Sequence, residues 1–144
     1  MRANAREVGG NNRGPFVAKY LEPSGLKPPQ PWCAAFASWC LLQATTKHKQ
    51  PPLPYLVSAR EMFNWARADG FLQQKPAPGS LVFFSRWGLF SWKGHCGIVS
   101  SVNRNRLTVI EGNRSSRVQA FGYDILNIRN LLGFAGIILQ ENGI

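Results

Sequence analysis

Cys33, His95, Glu111 and Asn113 are the residues whose types and order suit covalent chemistry. Acyl transfer through a thiol needs a cysteine, an imidazole to take and return its proton, and a polar group to orient that imidazole. The chain offers three cysteines and two histidines. His48 lies in Lys47-His48-Lys49, where a solvated ring is the default. His95 begins an apolar run just after Lys93-Gly94. Glu111 and Asn113 close a later run of the same kind. Spaced by two, they can share one side of a strand, and either can accept the Nδ1–H of His95. The bland alternatives are a strand-end carboxylate, a turn asparagine and a buried inert cysteine.

The elements that position these residues are legible from periodicity. Pro31 opens the stretch Trp32-Cys33-Ala34-Ala35-Phe36-Ala37-Ser38-Trp39-Cys40-Leu41-Leu42, apolar on nearly every side, as in a buried helix. That helix is expected to run to about Ala44, with Cys33 in its first turn, where free N–H groups and the dipole favour a thiolate. Cys40, two turns further on, reads as core. Pro15 opens a shorter helix with the stripe Phe16, Val17, Tyr20 and Leu21, and residues 1 to 8 read as a frayed helix end. Thr45 to Pro54 reads as an exposed loop. Ser58 and Glu61 form a capping box for a helix that Gly70 terminates.

After Pro76-Ala77-Pro78-Gly79 the pattern becomes that of strands: Leu81–Phe84, His95–Val102, Arg106–Glu111 and Phe134–Leu139. Asn103-Arg104-Asn105 is a tight connection, and Gln119–Tyr123 and Ile125–Ile128 are candidates for shorter strands. Alternation sends His95 and Cys96 to opposite faces. If His95 faces the helix bearing Cys33, Cys96 belongs to the other layer. Helices first and an antiparallel sheet after them make an α+β chain, read as one domain over residues 1–144.

Composition removes several classes. The apolar fraction of 44% and five tryptophans exclude a disordered chain. No apolar run reaches the length of a membrane span. Cys33, Cys40, Cys96 and two histidines do not form a zinc site, and an odd, sparse cysteine count does not form a disulfide framework. No cofactor is expected. The net charge of +10 points to polyanionic surroundings, and the basic residues are scattered rather than gathered in one recognition arm.

Four segments in order resemble the CHAP family of cell-wall amidases and peptidases, within the papain-like cysteine peptidase superfamily. They are Pro31-Trp32-Cys33-Ala34-Ala35-Phe36, Pro78-Gly79-Ser80-Leu81-Val82-Phe83-Phe84, Gly94-His95-Cys96-Gly97-Ile98-Val99 and Val109-Ile110-Glu111-Gly112-Asn113. The resemblance implies a papain-like fold, with N-terminal helices packed on a C-terminal antiparallel sheet. It implies Cys33 as nucleophile, His95 as general base and acid, Glu111 as orienter, and Asn113 as a further polar site residue. The implied reaction is hydrolysis of a peptidoglycan amide, either N-acetylmuramoyl-L-alanine or a bond of the stem or bridge. Ser80 stands where many members have Asp, and Trp32 where many have Gln. Residues 9–32 hold Glu22 and no Asp, so no calcium site is expected.

Trp32, with Trp87 and Trp92 of the aromatic loop 86–93, are the candidate substrate-binding residues; the loop reads equally as a cover over a core edge. The expected setting is the bacterial cell wall, in the periplasm or outside the cell, acting as a monomer. Met1 to Glu7 lacks a signal-peptide core. Export would then use a holin or a dedicated secretion system, unless the chain is trimmed; an effector would have an immunity protein as partner. The rival reading is a non-catalytic basic module for nucleic acid or anionic wall. It leaves the order Cys33, His95, Glu111 unexplained, and no nucleic-acid motif accompanies it.

Overall fold

The switch from helical to strand periodicity near residue 70 divides the architecture into two layers. A computed structural model describes residues 5–45, 53–86 and 93–136. Among the described residues three α-helices come first: α1 (Pro15–Leu21), α2 (Cys33–Ala44) and α3 (Ala59–Ala68). Six strands follow: β1 (Leu72–Gln73), β2 (Leu81–Ser85), β3 (Gly94–Asn103), β4 (Arg106–Arg114), β5 (Arg117–Asp124) and β6 (Leu131–Ala135). Among the described residues they form one sheet in the order β1-β6-β2-β3-β4-β5, every pair antiparallel. The chain is α+β.

Each helix forms for reasons visible in its residues. Pro15 begins α1, where its missing N–H costs nothing, and the helix buries Val17, Tyr20 and Leu21. Ser58 caps α3 by accepting the Glu61 N–H at 3.2 Å, and Gly70, at φ 76°, stops it. Ala59, Met62, Phe63 and Ala66 form the buried stripe of α3. The front half of α2, Cys33 through Ser38, is buried on all sides. Its one polar residue there, Ser38, is satisfied by donating to Leu56 O at 2.7 Å and accepting from Leu56 N at 3.2 Å. Those two bonds tie the segment leading into α3 onto α2.

Alternation along β2 splits the core. Leu81 and Phe83 join Cys96 against Cys33, Ala34 and Ala37 of α2 and against α3. Val82 and Phe84 point the other way, with Val99, Leu107, Val109 and Phe134. β2 is therefore buried on both faces, as its unbroken apolar run requires.

Several expectations are corrected. Residues 5–8 are extended rather than helical: Arg6 bridges Arg117, Glu7 N donates to Ser116 O and Val118 N to Ala5 O, each at 2.8 Å. This segment covers the edge of β5, which a frayed helix end would leave open. Ile125–Asn127 is a 3₁₀ turn, not a strand, because Asp124 accepts the Leu126 N–H at 3.0 Å and turns the chain. β6 is Leu131–Ala135, earlier than expected, and residues 137–139 of the expected strand lie outside the described residues. β1 was not anticipated; it is two residues long. Within the expected loop Thr45–Pro54, both Thr45 and Leu53 are buried, Leu53 filling the core beside α2.

Candidate active site

α2 begins at Cys33, with Trp32 as its N-cap residue and Pro31 just outside. Cys33 is 6% exposed and lines a cavity. β3 lies next to α2 and delivers His95 and Cys96. The expected division of labour between these two is inverted. Cys96, not His95, is on the helix-facing side; its thiol packs in the same cluster as Cys33 and lowers the Cys33 pKa. His95 projects with Gly97 and Val99 toward the opposite face, and reaches the Cys33 thiol from the end of the strand. Cys96 is thus part of the surroundings of Cys33. Pleat alone could not show this, because a residue at a strand end can reach around it.

The His95 ring is held from the far side by Glu111. His95 Nε2 lies 2.6 Å from Glu111 Oε1, and the carboxylate is fully buried. The contact is through Nε2, not the Nδ1 expected from sequence. Gly97 makes this approach possible: a Cβ there would come within 2.8 Å of Glu111 Cγ and 2.5 Å of Val109 Cγ1. Gly112, next to Glu111, serves the other face, where a Cβ would meet Phe36 Cβ of α2 at 2.8 Å.

Glu111 has two further partners that sequence reasoning missed. Tyr123 Oη donates to Glu111 Oε2 at 2.5 Å, and Arg114 Nη1 reaches both carboxylate oxygens, at 3.3 and 3.4 Å. Arg114 is itself laid over the Phe121 ring, 3.8 Å from its centroid. Tyr123 comes from β5, where it pairs with Leu107 while Glu111 pairs with Gln119, so strand pairing alone gave no signal for it.

Asn113 is not brought to the ring. The β4–β5 register slips between Glu111 and Arg114, and Asn113 sits in the slip at φ 56°. Such a bulge breaks the period-two rule that put Glu111 and Asn113 on one side. Among the described residues Asn113 has no side-chain hydrogen bond. Trp32 is not a cleft wall either. It is 0% exposed, stacks on Tyr20 with ring centroids 5.8 Å apart, and donates Nε1–H to Glu7 Oε1 at 2.9 Å. Trp87, Trp92 and His48 lie outside the described residues. Ser80, in place of the family's Asp, accepts the Ala77 N–H at 3.0 Å and so holds the turn into β2.

The electrostatics favour an ion pair. The Cys96 thiol, followed by His95, holds the Cys33 thiol well below its ordinary value despite burial. Burial works against the His95 imidazolium, yet Cys33 and Glu111 outweigh it and push its pKa up to about 9. Burial likewise opposes the Glu111 carboxylate, but His95 and Tyr123 keep it below the usual range. Both shifts favour a Cys33 thiolate beside a His95 imidazolium. Cys40 is a contrast: burial raises it to about 11, and it packs beside α1 with Trp39.

Two cavities flank this pair. One, of about 380 Å³, is lined by Cys33 with Pro31, Val57, Ala59, Arg86 and Lys93. The other, of about 290 Å³, lies past the ring, against His95, Glu111, Tyr123, Arg86 and Arg129. A substrate lying over the pair can occupy both.

A family model for the CHAP domain matches residues 25–113, and the chain belongs to the CHAP family. CHAP domains are in general hydrolytic enzymes of the cell wall. No curated protein matches. Among solved structures, one described as the crystal structure of Ly7917 is similar, at 21% identity and a TM-score of 0.49. The match covers 73% of this chain and 53% of that one, so this chain spans about half of that chain's length. Among the described residues no helix is long and apolar enough to cross a membrane.

Proposed function

We propose that the chain is a cysteine-dependent peptidoglycan hydrolase that cuts an amide bond through Cys33. The observation that carries this reading is the buried line from Cys33 through His95 to Glu111, closed by a 2.6 Å contact. The Cys33 thiolate attacks the amide carbonyl, and the tetrahedral intermediate collapses as His95 gives its proton to the leaving amine. His95, then neutral, takes a proton from water, which attacks the thioester and releases the acid. Glu111 keeps the ring in position and favours its charged form; it is a positioning residue. The backbone N–H of Cys33, at the head of α2, is the natural oxyanion donor.

The bond is either N-acetylmuramoyl-L-alanine or one in the stem or bridge, and the mass of the released fragments decides between them. Purified protein is incubated with sacculi, and released muropeptides and new amines are identified by mass spectrometry. Wild type is expected to release fragments and Cys33→Ala none. Undiminished release by Cys33→Ala would exclude the thiol mechanism. Binding of nucleic acid without hydrolysis would favour a basic binding module.

A further inference from the structure

The charges around the second cavity do not cancel. Glu111 is matched by Arg114 at 3.3 Å and by the His95 ring at 2.6 Å. Arg86 and Arg129 line the same cavity, and their guanidinium groups have no partner among the described residues. They come from neighbouring strand ends. Ser85 N, at the end of β2, donates to Asn130 O at 2.8 Å, just before β6. Arg86 follows Ser85 and Arg129 precedes Asn130, so the two cations flank one mouth. Arg86 also lines the cavity beside Cys33, which places it along the whole path of a substrate.

We infer that Arg86 and Arg129 form a carboxylate-binding subsite past His95, selecting substrates with a free carboxylate on the amine-releasing side of the scissile bond. The side follows from the chemistry already assigned to Cys33 and His95, and the inference rests on that reading. The acyl half stays on the thiol, in the cavity walled by Pro31, Val57 and Ala59. The leaving half is next to the His95 ring that protonates it, and that ring lines the second cavity. A guanidinium presents paired N–H donors that match a carboxylate, while a carboxamide offers one neutral oxygen and two donors that a cation repels. The subsite therefore distinguishes a stem peptide ending in an acid from its amidated counterpart.

The test uses two stem-type peptides, identical except for a carboxylate or a carboxamide on the amine-releasing side. Both are offered to the wild type, Arg86→Gln, Arg129→Gln, the double variant and Lys75→Gln. Lys75 is exposed and lies ahead of β2, at the far end of that strand from Arg86. The wild type is expected to show a KM for the acid lower by roughly tenfold or more, as for a hydrogen bond to a charged group. Each arginine variant should narrow that ratio through KM, the double variant should bring it to about one, and Lys75→Gln should retain it. Equal KM values in the wild type, survival of the ratio in the double variant, or its loss in Lys75→Gln would each overturn the subsite. Titrating Cys33→Ala with the same peptides by calorimetry separates the two readings. Preferential binding of the acid without hydrolysis by wild type would uphold the subsite and remove the nucleophile. Hydrolysis of both peptides at equal KM would do the reverse.

Discussion

The thiol of Cys33 sits among groups that each change its proton affinity. Its partner His95 holds its proton up to about pH 9, and Cys33 loses its own well below its usual value. Activity should therefore rise through the Cys33 value, hold across neutrality, and fall as pH passes about 9. Glu111→Gln removes a charge that raises the His95 pKa, so the alkaline limb should move to lower pH. The same change should cost roughly 10²–10⁴-fold in kcat/KM, as loss of an orienting carboxylate does. An alkaline limb unmoved in that variant would show that Glu111 does not act through the ring. The ion pair is also linked to stability. His95 has a folded value above its unfolded one, so its contribution is complete below about pH 6.5 and disappears as pH rises through about 9. Glu111 works oppositely: its contribution holds above the ordinary carboxylate value and is lost as pH falls through its lowered one. Cys96 gives a separate check. Because its thiol is the first cause of the lowered Cys33 value, Cys96→Ala should raise that value, and Cys96→Ser should restore much of the effect. The pH dependence of Cys33 alkylation reads this directly, and an unchanged profile in Cys96→Ala would remove Cys96 from the site.

At the scale of elements, the site depends on how closely two strands and a helix approach. Gly97 leaves room for Glu111 Cγ on one face of β3, and Gly112 leaves room for Phe36 on the other face of β4. Gly97→Ala puts a methyl group 2.5 Å from Val109 Cγ1 and 2.8 Å from Glu111 Cγ, so Glu111 must withdraw from His95. The expected result is a loss of activity larger than the loss of stability, which for overpacking is about 1–3 kcal/mol. Chemical denaturation beside kcat/KM measures both; full activity in Gly97→Ala would contradict the packing. Ser58→Ala is the complementary case. Losing the cap on α3 should cost about 1 kcal/mol and leave the catalytic pH profile in place. These elements also show what the sequence could and could not reveal. The helix at Cys33, the cap at Ser58 and the strands of the central sheet were legible, because each depends on local period and capping. The order Cys33, His95, Glu111 was legible for the same reason: each residue sits at an end of a readable element. Asn113 was misjudged because a bulge resets the pleat, and a bulge depends on pairing with a strand not yet placed. Cys96 was misjudged because a strand-end histidine can reach around the pleat. Tyr123 was missed because its role exists only once β5 lies beside β4, and Arg114 because the same register slip separates it from Glu111.

For the whole molecule, the excess of seventeen basic over seven acidic residues has two opposing effects. At the β5 edge, Arg117 pairs in register with Arg114 and bridges Arg6, so like charges converge. Arg114 is engaged with Glu111, but Arg6 and Arg117 share an exposed margin. Such a margin resists approach by another basic surface, at the cost of self-repulsion in the folded state. An anionic polymer relieves that repulsion by lying against it, which is the condition met at a charged wall. Salt relieves it too, by shortening the screening length to about 8 Å near 0.15 M. The two consequences should run in opposite directions as salt rises. The melting temperature of the free protein should increase, because repulsion is screened, while retention of Cys33→Ala on sacculi should fall, because attraction is screened. Sedimentation of that variant with sacculi and thermal melts over one salt series measure both. Retention indifferent to salt would mean that shape and hydrogen bonding, not charge, hold the protein on the wall. A melting temperature that fell with salt would mean that net attraction among specific pairs outweighs the general repulsion of a +10 chain.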